Sequence, residues 1–93
     1  MQAETLMDYD NAVFATDGRA FHARARARLR DDALWEGWIE FDDDNDDVTL
    51  ATPRETTQPN LVAAKYWATG LSLVFLEGAL ARAMEATRRE ELG

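Results

Sequence analysis

The chain of 93 residues has no cysteine, one histidine, one lysine and two prolines. Without cysteine there are no disulfides, thiolate zinc sites or cysteine nucleophiles, which fits a reducing compartment. With His22 the only histidine, neither a transition-metal site nor a cofactor is expected. No base–nucleophile pair can be assembled around it by spacing. The glycines, Gly18, Gly37, Gly70, Gly78 and Gly93, are too scattered to cradle a phosphate. Positive charge is scarce as well. Ten basic residues face 18 acidic ones, for a net charge of −8, which argues against nonspecific nucleic-acid binding. The longest apolar stretch, around Leu71–Leu76, is too short to span a bilayer. The start, Met1-Gln2-Ala3-Glu4-Thr5, has neither the basic nor the apolar region of a signal peptide. A cytoplasmic location with no membrane partner is expected.

What is present is enough for a core. Apolar residues make up 46% of the chain and there are nine aromatics, so intrinsic disorder is not expected. The length suits one small domain over residues 1–93, burying roughly 60–65% of its unfolded surface. Residues 1–8 are mostly polar and are expected to fray. A β-rich part follows over 9–52 and a helical part over 60–90.

Periodicity carries the β assignment. Asp17-Gly18 reads as a two-residue turn, with Thr16 pairing Arg19 and Phe14 facing Phe21. Beyond it Phe21, Ala23, Ala25, Ala27 and Leu29 alternate with His22, Arg24, Arg26, Arg28 and Arg30, as in a half-buried strand. Leu34-Trp-Glu-Gly-Trp-Ile-Glu-Phe41 alternates again. A three-residue loop at Asp31-Asp32-Ala33 sets Leu29 opposite Trp35, Ala25 opposite Ile39 and Ala23 opposite Phe41. It also sets Arg28 opposite Glu36, Arg26 opposite Trp38 and Arg24 opposite Glu40. A slip of one residue would destroy both patterns. Val48–Thr52 reads as a fourth strand, with Leu50 near Ile39, ended by Pro53.

The second half reads as helical. Asn60 is a plausible N-cap and Gly70 a stop. Ser72 caps a longer helix through Glu90 on which Leu73, Leu76, Leu80 and Met84 share a face. The alanine-lined sheet face needs bulky partners, for which Trp67, Tyr66, Phe75 and Leu76 are available. The predicted class is α+β: a four-stranded antiparallel meander followed by two helices on one sheet face, ββββαα. Apolar residues spread beyond one stripe on both helices, which points to a homodimer.

Two surfaces are candidates for function. On the outer sheet face, Arg24, Arg26 and Trp38 form a candidate binding surface for a protein partner, since Trp and Arg are enriched at interface hot spots. Arg26 is expected between Trp38 and Tyr9, in cation–π geometry. The competing account is a solvated face whose arginines pair with Glu36 and Glu40. The loop Arg54, Glu55, Thr56, Thr57 and Gln58 gathers polar groups at the sheet-to-helix junction and is a candidate ligand loop. Its competing account is a connector in which Arg54 and Glu55 pair. The acidic run Asp42–Asp47 fails as an EF-hand, because Asp47 replaces the turn glycine and Pro53 the bidentate glutamate. It reads as an exposed hairpin loop.

Leu34-Trp-Glu-Gly-Trp-Ile-Glu-Phe41, Thr52-Pro-Arg-Glu-Thr-Thr-Gln58, Tyr66-Trp-Ala-Thr-Gly-Leu71 and Leu76-Glu-Gly-Ala-Leu80 together resemble a family of small bacterial proteins. The likeness runs from about Asp17 to Ala83. That family has no assigned activity, so the resemblance implies a free-standing bacterial domain and brings no catalytic residues. Taken together, the residues point first to a non-enzymatic binding or accessory module using the outer sheet face or the 53–60 loop. A small-ligand sensor or enzyme using Arg54–Gln58 comes second. Nucleic-acid binding through the arginine stripe comes last, because the total charge opposes it.

Overall fold

In the computed structural model of the chain, residues 3–43 and 45–92 are described. Met1 and Gln2, at the start of the segment read above for a signal sequence, lie outside them. So do Gly93 and Asp44, and with Asp44 the middle of the acidic run.

The alternating segments pair as their side chains require. Strands β3 (Ala20–Leu29) and β4 (Trp35–Asp43) form the central hairpin. Arg28 lies opposite Glu36, Arg26 opposite Trp38, Arg24 opposite Glu40, Ala25 opposite Ile39 and Ala23 opposite Phe41. The loop is the expected three residues. Arg30 and Leu34 close it through an N–H···O bond of 2.7 Å, and Ala33 takes a left-handed φ of 69°.

The flanking strands are each broken in two. On one side β1 (Glu4–Asp8) and β2 (Val13–Phe14) both pair with β3. On the other β5 (Val48–Ala51) and β6 (Thr56–Gln58) both pair with β4. All pairings are antiparallel, so the four rows form a meander, and the helices α1 (Leu61–Thr69) and α2 (Leu73–Leu92) pack on it. The class is α+β, as predicted.

Several local expectations are corrected. Residues 4–8 form a strand, with Thr5 opposite Arg26 and Asp8 opposite Arg24. A bulge at Leu6 interrupts the alternation, so Leu6 and Met7 can both pack against the core and the period-2 signal disappears. The first turn has three residues. The Ala15 N–H bonds the Arg19 carbonyl and the Gly18 N–H bonds the Ala15 carbonyl, at 2.9 and 3.0 Å. Gly18, at φ 89°, alone carries the positive angle there. Val13 therefore faces Phe21 and is buried, while Phe14 faces Ala20 and is 57% exposed. Leu50 lies opposite Phe41, because Thr52 occupies the place beside Ile39. The Thr52 N–H donates to the Ile39 carbonyl at 2.9 Å, and its hydroxyl accepts from the Ile39 N–H at 3.1 Å. Finally, Tyr9 leaves the outer face and is buried. Its hydroxyl donates to the Ala68 carbonyl near the end of α1, at 2.6 Å, and burial pushes the phenol pKa up to about 12.

The helices start where capping chemistry allows. Asn60 Oδ1 accepts the Ala63 N–H at 2.8 Å, and Ser72 Oγ accepts the Phe75 N–H at 3.1 Å, each satisfying an orphan donor. Gly70 ends α1 with a right-handed φ of −90°. The core lies between the helices and the small residues Ala23, Ala25 and Ala27, all fully buried. Leu76, Leu80, Trp67 and Phe75 fill it, and Phe21 meets Phe41 edge-to-face at 6.5 Å. Tyr66, offered above as a filler, instead points outward, 81% exposed. Among the described residues no helix is long and apolar enough to cross a membrane.

Gly37 is the tightest point. A Cβ there would lie 3.0 Å from Thr56 Cγ2, 3.1 Å from Trp67 Cζ3 and 3.4 Å from the Arg26 carbonyl oxygen. Overpacking of this kind costs about 1–3 kcal/mol. Gly37→Ala is expected to lower stability by that amount in urea denaturation, and an unchanged midpoint would show that Trp67 is free to retreat.

Candidate functional site: the outer sheet face and the Arg54 bend

The outer face of the sheet is built by the polar half of the β3 and β4 alternation. Its charges are paired. Arg24 donates from Nε to Glu40 at 3.1 Å and also binds the Asp42 carboxylate. Asp42 accepts the Thr49 hydroxyl at 2.7 Å. The Trp38 indole N–H donates to Glu40 at 3.0 Å. Arg28 donates to Glu36 at 2.6 Å, and Arg30 pairs with Asp32 at 2.9 Å. The guanidinium over the Trp38 ring belongs to Arg28, at 5.8 Å; the sequence had offered Arg26. Arg26 reaches the other way, to the Thr5 hydroxyl at 3.1 Å and the Ala3 carbonyl at 3.4 Å. Its Nε is buried without a hydrogen-bond partner among the described residues. Of the candidate surface Arg24, Arg26 and Trp38, then, the first is held by two carboxylates and the second is turned toward the chain start.

The candidate ligand loop is divided among three surroundings. Arg82 of α2 donates two N–H groups to the Glu55 carboxylate, the Nε bond being 3.2 Å. That replaces the expected Arg54–Glu55 pair. Thr56 packs over Gly37 and accepts from Gln58 Nε2 at 2.7 Å. Thr57, opposite Glu36, shares the outer face with it. Arg54 is exposed and makes no ion pair among the described residues; the exposed Lys65 and the half-buried Arg26 also make none.

Arg54 borders two cavities. A hollow of about 270 Å³ on the outer face is lined by Trp38, Ala51, Thr52, Pro53 and Arg54, with the paired Arg28 and Glu36. A groove of about 530 Å³ against α2 is lined by Pro53, Arg54, Ala81, Arg82, Ala86 and Arg89, with Glu55 and Glu85. A third depression, at the β3–β4 tip, is walled by the paired Arg28–Glu36 and Arg30–Asp32 side chains. The acidic loop is partly committed as well. Asp43 is buried, and its Oδ1 accepts the Asn45 N–H at 2.9 Å. Among the described residues no three His, Asp or Glu side chains converge as metal ligands do.

The α2 groove was not foreseen from sequence, because it needs the Glu55–Arg82 contact across 27 positions. The Pro53-Arg54 step was visible, but only as the end of a strand. Comparison of the chain with protein-family models, curated proteins and solved structures finds no match.

The Arg24–Asp42 pair sets a pH dependence. The hydrogen bond from Arg24, followed by that from Thr49, holds the Asp42 carboxyl below its ordinary value of 3.8. A folded-state pKa below the unfolded one contributes stability above the unfolded value, and that stability disappears as pH falls through the folded one. Asp42→Asn is therefore expected to be less stable than the parent at pH 6, with the gap closing below about pH 4. A gap that persists unchanged at pH 2.5 would rule this account out.

Proposed function

We propose that the protein is a non-catalytic binding module that takes an anionic group of its ligand at Arg54, against the Trp38 hollow. One observation carries this reading. In a chain with 18 acidic and 10 basic residues, the exposed Arg54 guanidinium lacks a carboxylate among the described residues and stands at the rim shared by two cavities. The neighbouring cations Arg28 and Arg82 are each paired with a carboxylate, and Arg89 shares Glu85 with Arg88. An arginine with a free planar fork favours carboxylate or phosphate, and the Trp38 ring, with Arg28 over it, walls the hollow beside it. A sensor or enzyme built on the whole Arg54–Gln58 loop is less well supported, because Glu55, Thr56 and Thr57 face three different ways.

Titration of ¹⁵N-labelled protein with phenylacetate and phenyl phosphate tests the reading. The Trp38 indole N–H and the Arg54 Nε–H resonances are expected to shift together. Arg54→Ala should abolish the indole response and leave the remaining spectrum in place. Absence of both shifts in the parent protein would defeat the proposal.

A second copy of the chain is a further partner, favoured by Val62, Tyr66 and Val74, which are 78%, 81% and 77% exposed on the helices. Sedimentation equilibrium is expected to give a dimer mass that Tyr66→Glu returns to monomer; a monomeric parent across the micromolar range excludes it.

A further inference from the structure

The hollow and the groove lie on opposite sides of the sheet edge and share Pro53 and Arg54. The edge can be crossed there because the β5–β6 row is interrupted. β5 ends at Ala51 and β6 begins at Thr56, and Pro53 has no N–H to offer a ladder. On the outer side the walls are the Trp38 ring, Ala51, Thr52 and the Pro53 ring, with the Arg28–Glu36 ion pair completing them. On the inner side the floor is Ala81 and Ala86 on α2, whose methyl groups leave the space open. Arg82 and Glu55 pair along that wall, and Glu85 is held by Arg89 and, from outside the groove, by Arg88. The path thus presents Arg54, without an ion pair among the described residues, between two stretches whose other charged side chains are paired.

We propose, on the basis of the anion-binding reading above, that the ligand is an extended peptide segment with a single carboxylate flanked by apolar residues. The carboxylate is held by Arg54. The apolar side chains on either side rest on Trp38 and Pro53 outside and on Ala81 and Ala86 inside. A compact small molecule would occupy one cavity and leave the other wet, whereas a chain bending over the edge uses both. The charge count sets the ligand's charge. Each further carboxylate would meet a wall already neutralised, in a protein of net charge −8, and a phosphodiester chain would carry one such charge per residue.

Selection of a random heptapeptide library on phage, against the intact protein, tests the proposal. The expected outcome is enrichment of sequences with one Asp or Glu between apolar residues. A synthetic peptide of the enriched sequence should bind about tenfold or more weakly to Arg54→Ala, the loss of a charge-assisted contact. It should weaken similarly for Ala81→Glu, which puts a carboxylate in the inner groove, and for Ala81→Arg, which fills the groove while pairing with Glu77 or Glu85. Both variants are expected to keep the phenylacetate response at Trp38. The proposal is overturned by absence of enrichment, by enriched sequences lacking an acidic residue, or by peptide binding that either Ala81 variant leaves intact. It is also overturned if a twelve-nucleotide oligothymidylate displaces the peptide at equal concentration. Phenylacetate binding without peptide enrichment would remove the peptide and keep the anion site; failure of both would remove both.

Discussion

Trp67 reaches the sheet because residue 37 has no side chain. The ring of α1 lies over the one position in β4 where a Cβ would collide with it, and Thr56 of β6 fills the rest of that space. Much of the architecture depends on this contact. It seats α1 against the sheet beside β6 and fixes the face on which β6 turns its Thr56. Counting back one residue from Thr56 places Glu55 where Arg82 can take it. One residue earlier, Arg54 is left at the edge, past the proline. The exposed cation thus follows from a packing constraint in the core, through the register of a three-residue strand.

The same economy of volume operates along β3. Ala23, Ala25 and Ala27 leave the inner face nearly flat, so the helices approach closely and the large residues come from them. Such a floor has little apolar area of its own. Full burial of a Leu or Phe contributes roughly 1.5–3 kcal/mol and an alanine far less, so the stabilisation comes mainly from Phe21, Phe41, Ile39 and Leu80 with the residues around them. The outer face adds little, since half-exposed ion pairs contribute about 0–1 kcal/mol each. Their value is in register. A slip of one residue would turn the Arg24, Arg26 and Arg28 row into the core and the alanines into water.

Sequence legibility follows the same division. Where alternation is strict and the turn is short, the pairing could be written residue by residue, and β3–β4 has that register. It failed where the backbone departs from period two. Leu6 hides a strand by adding one residue to it, and Thr52 with Pro53 hides a second by bending it. The first turn was misjudged for a similar reason, since Asp-Gly serves a type I′ turn and also a type I turn closed by a left-handed glycine. The candidate surfaces fared less well than the fold. Arg24 and Trp38 were placed on the correct face, but the orientation of Arg26 depends on Thr5 and Ala3, in a segment expected to fray. Of the four loop neighbours of Arg54 only Glu55 shares a cavity with it, because which side of an edge strand a residue takes is set by β6, and β6 has no signal in the sequence.

The net charge of −8 acquires a different meaning once the pairs are placed. At physiological ionic strength charges more than about 8 Å apart are largely screened, so a ligand meets local groups more than the total. The acids on the sheet face are tied to arginines, and Asp43 is tied to its own turn, while Asp46 and Asp47 stand exposed beyond the end of β4 where β5 begins. Arg54 lies past the other end of β5, four residues of extended chain away at roughly 3.3 Å each, or more than one screening length from those carboxylates. Those two carboxylates therefore do not cancel it, and the nearer Glu36, Glu55 and Glu85 are held by other arginines. The proposed capture of a single carboxylate at Arg54 rests on this separation, since among the described residues Arg54 has no carboxylate within ion-pair distance.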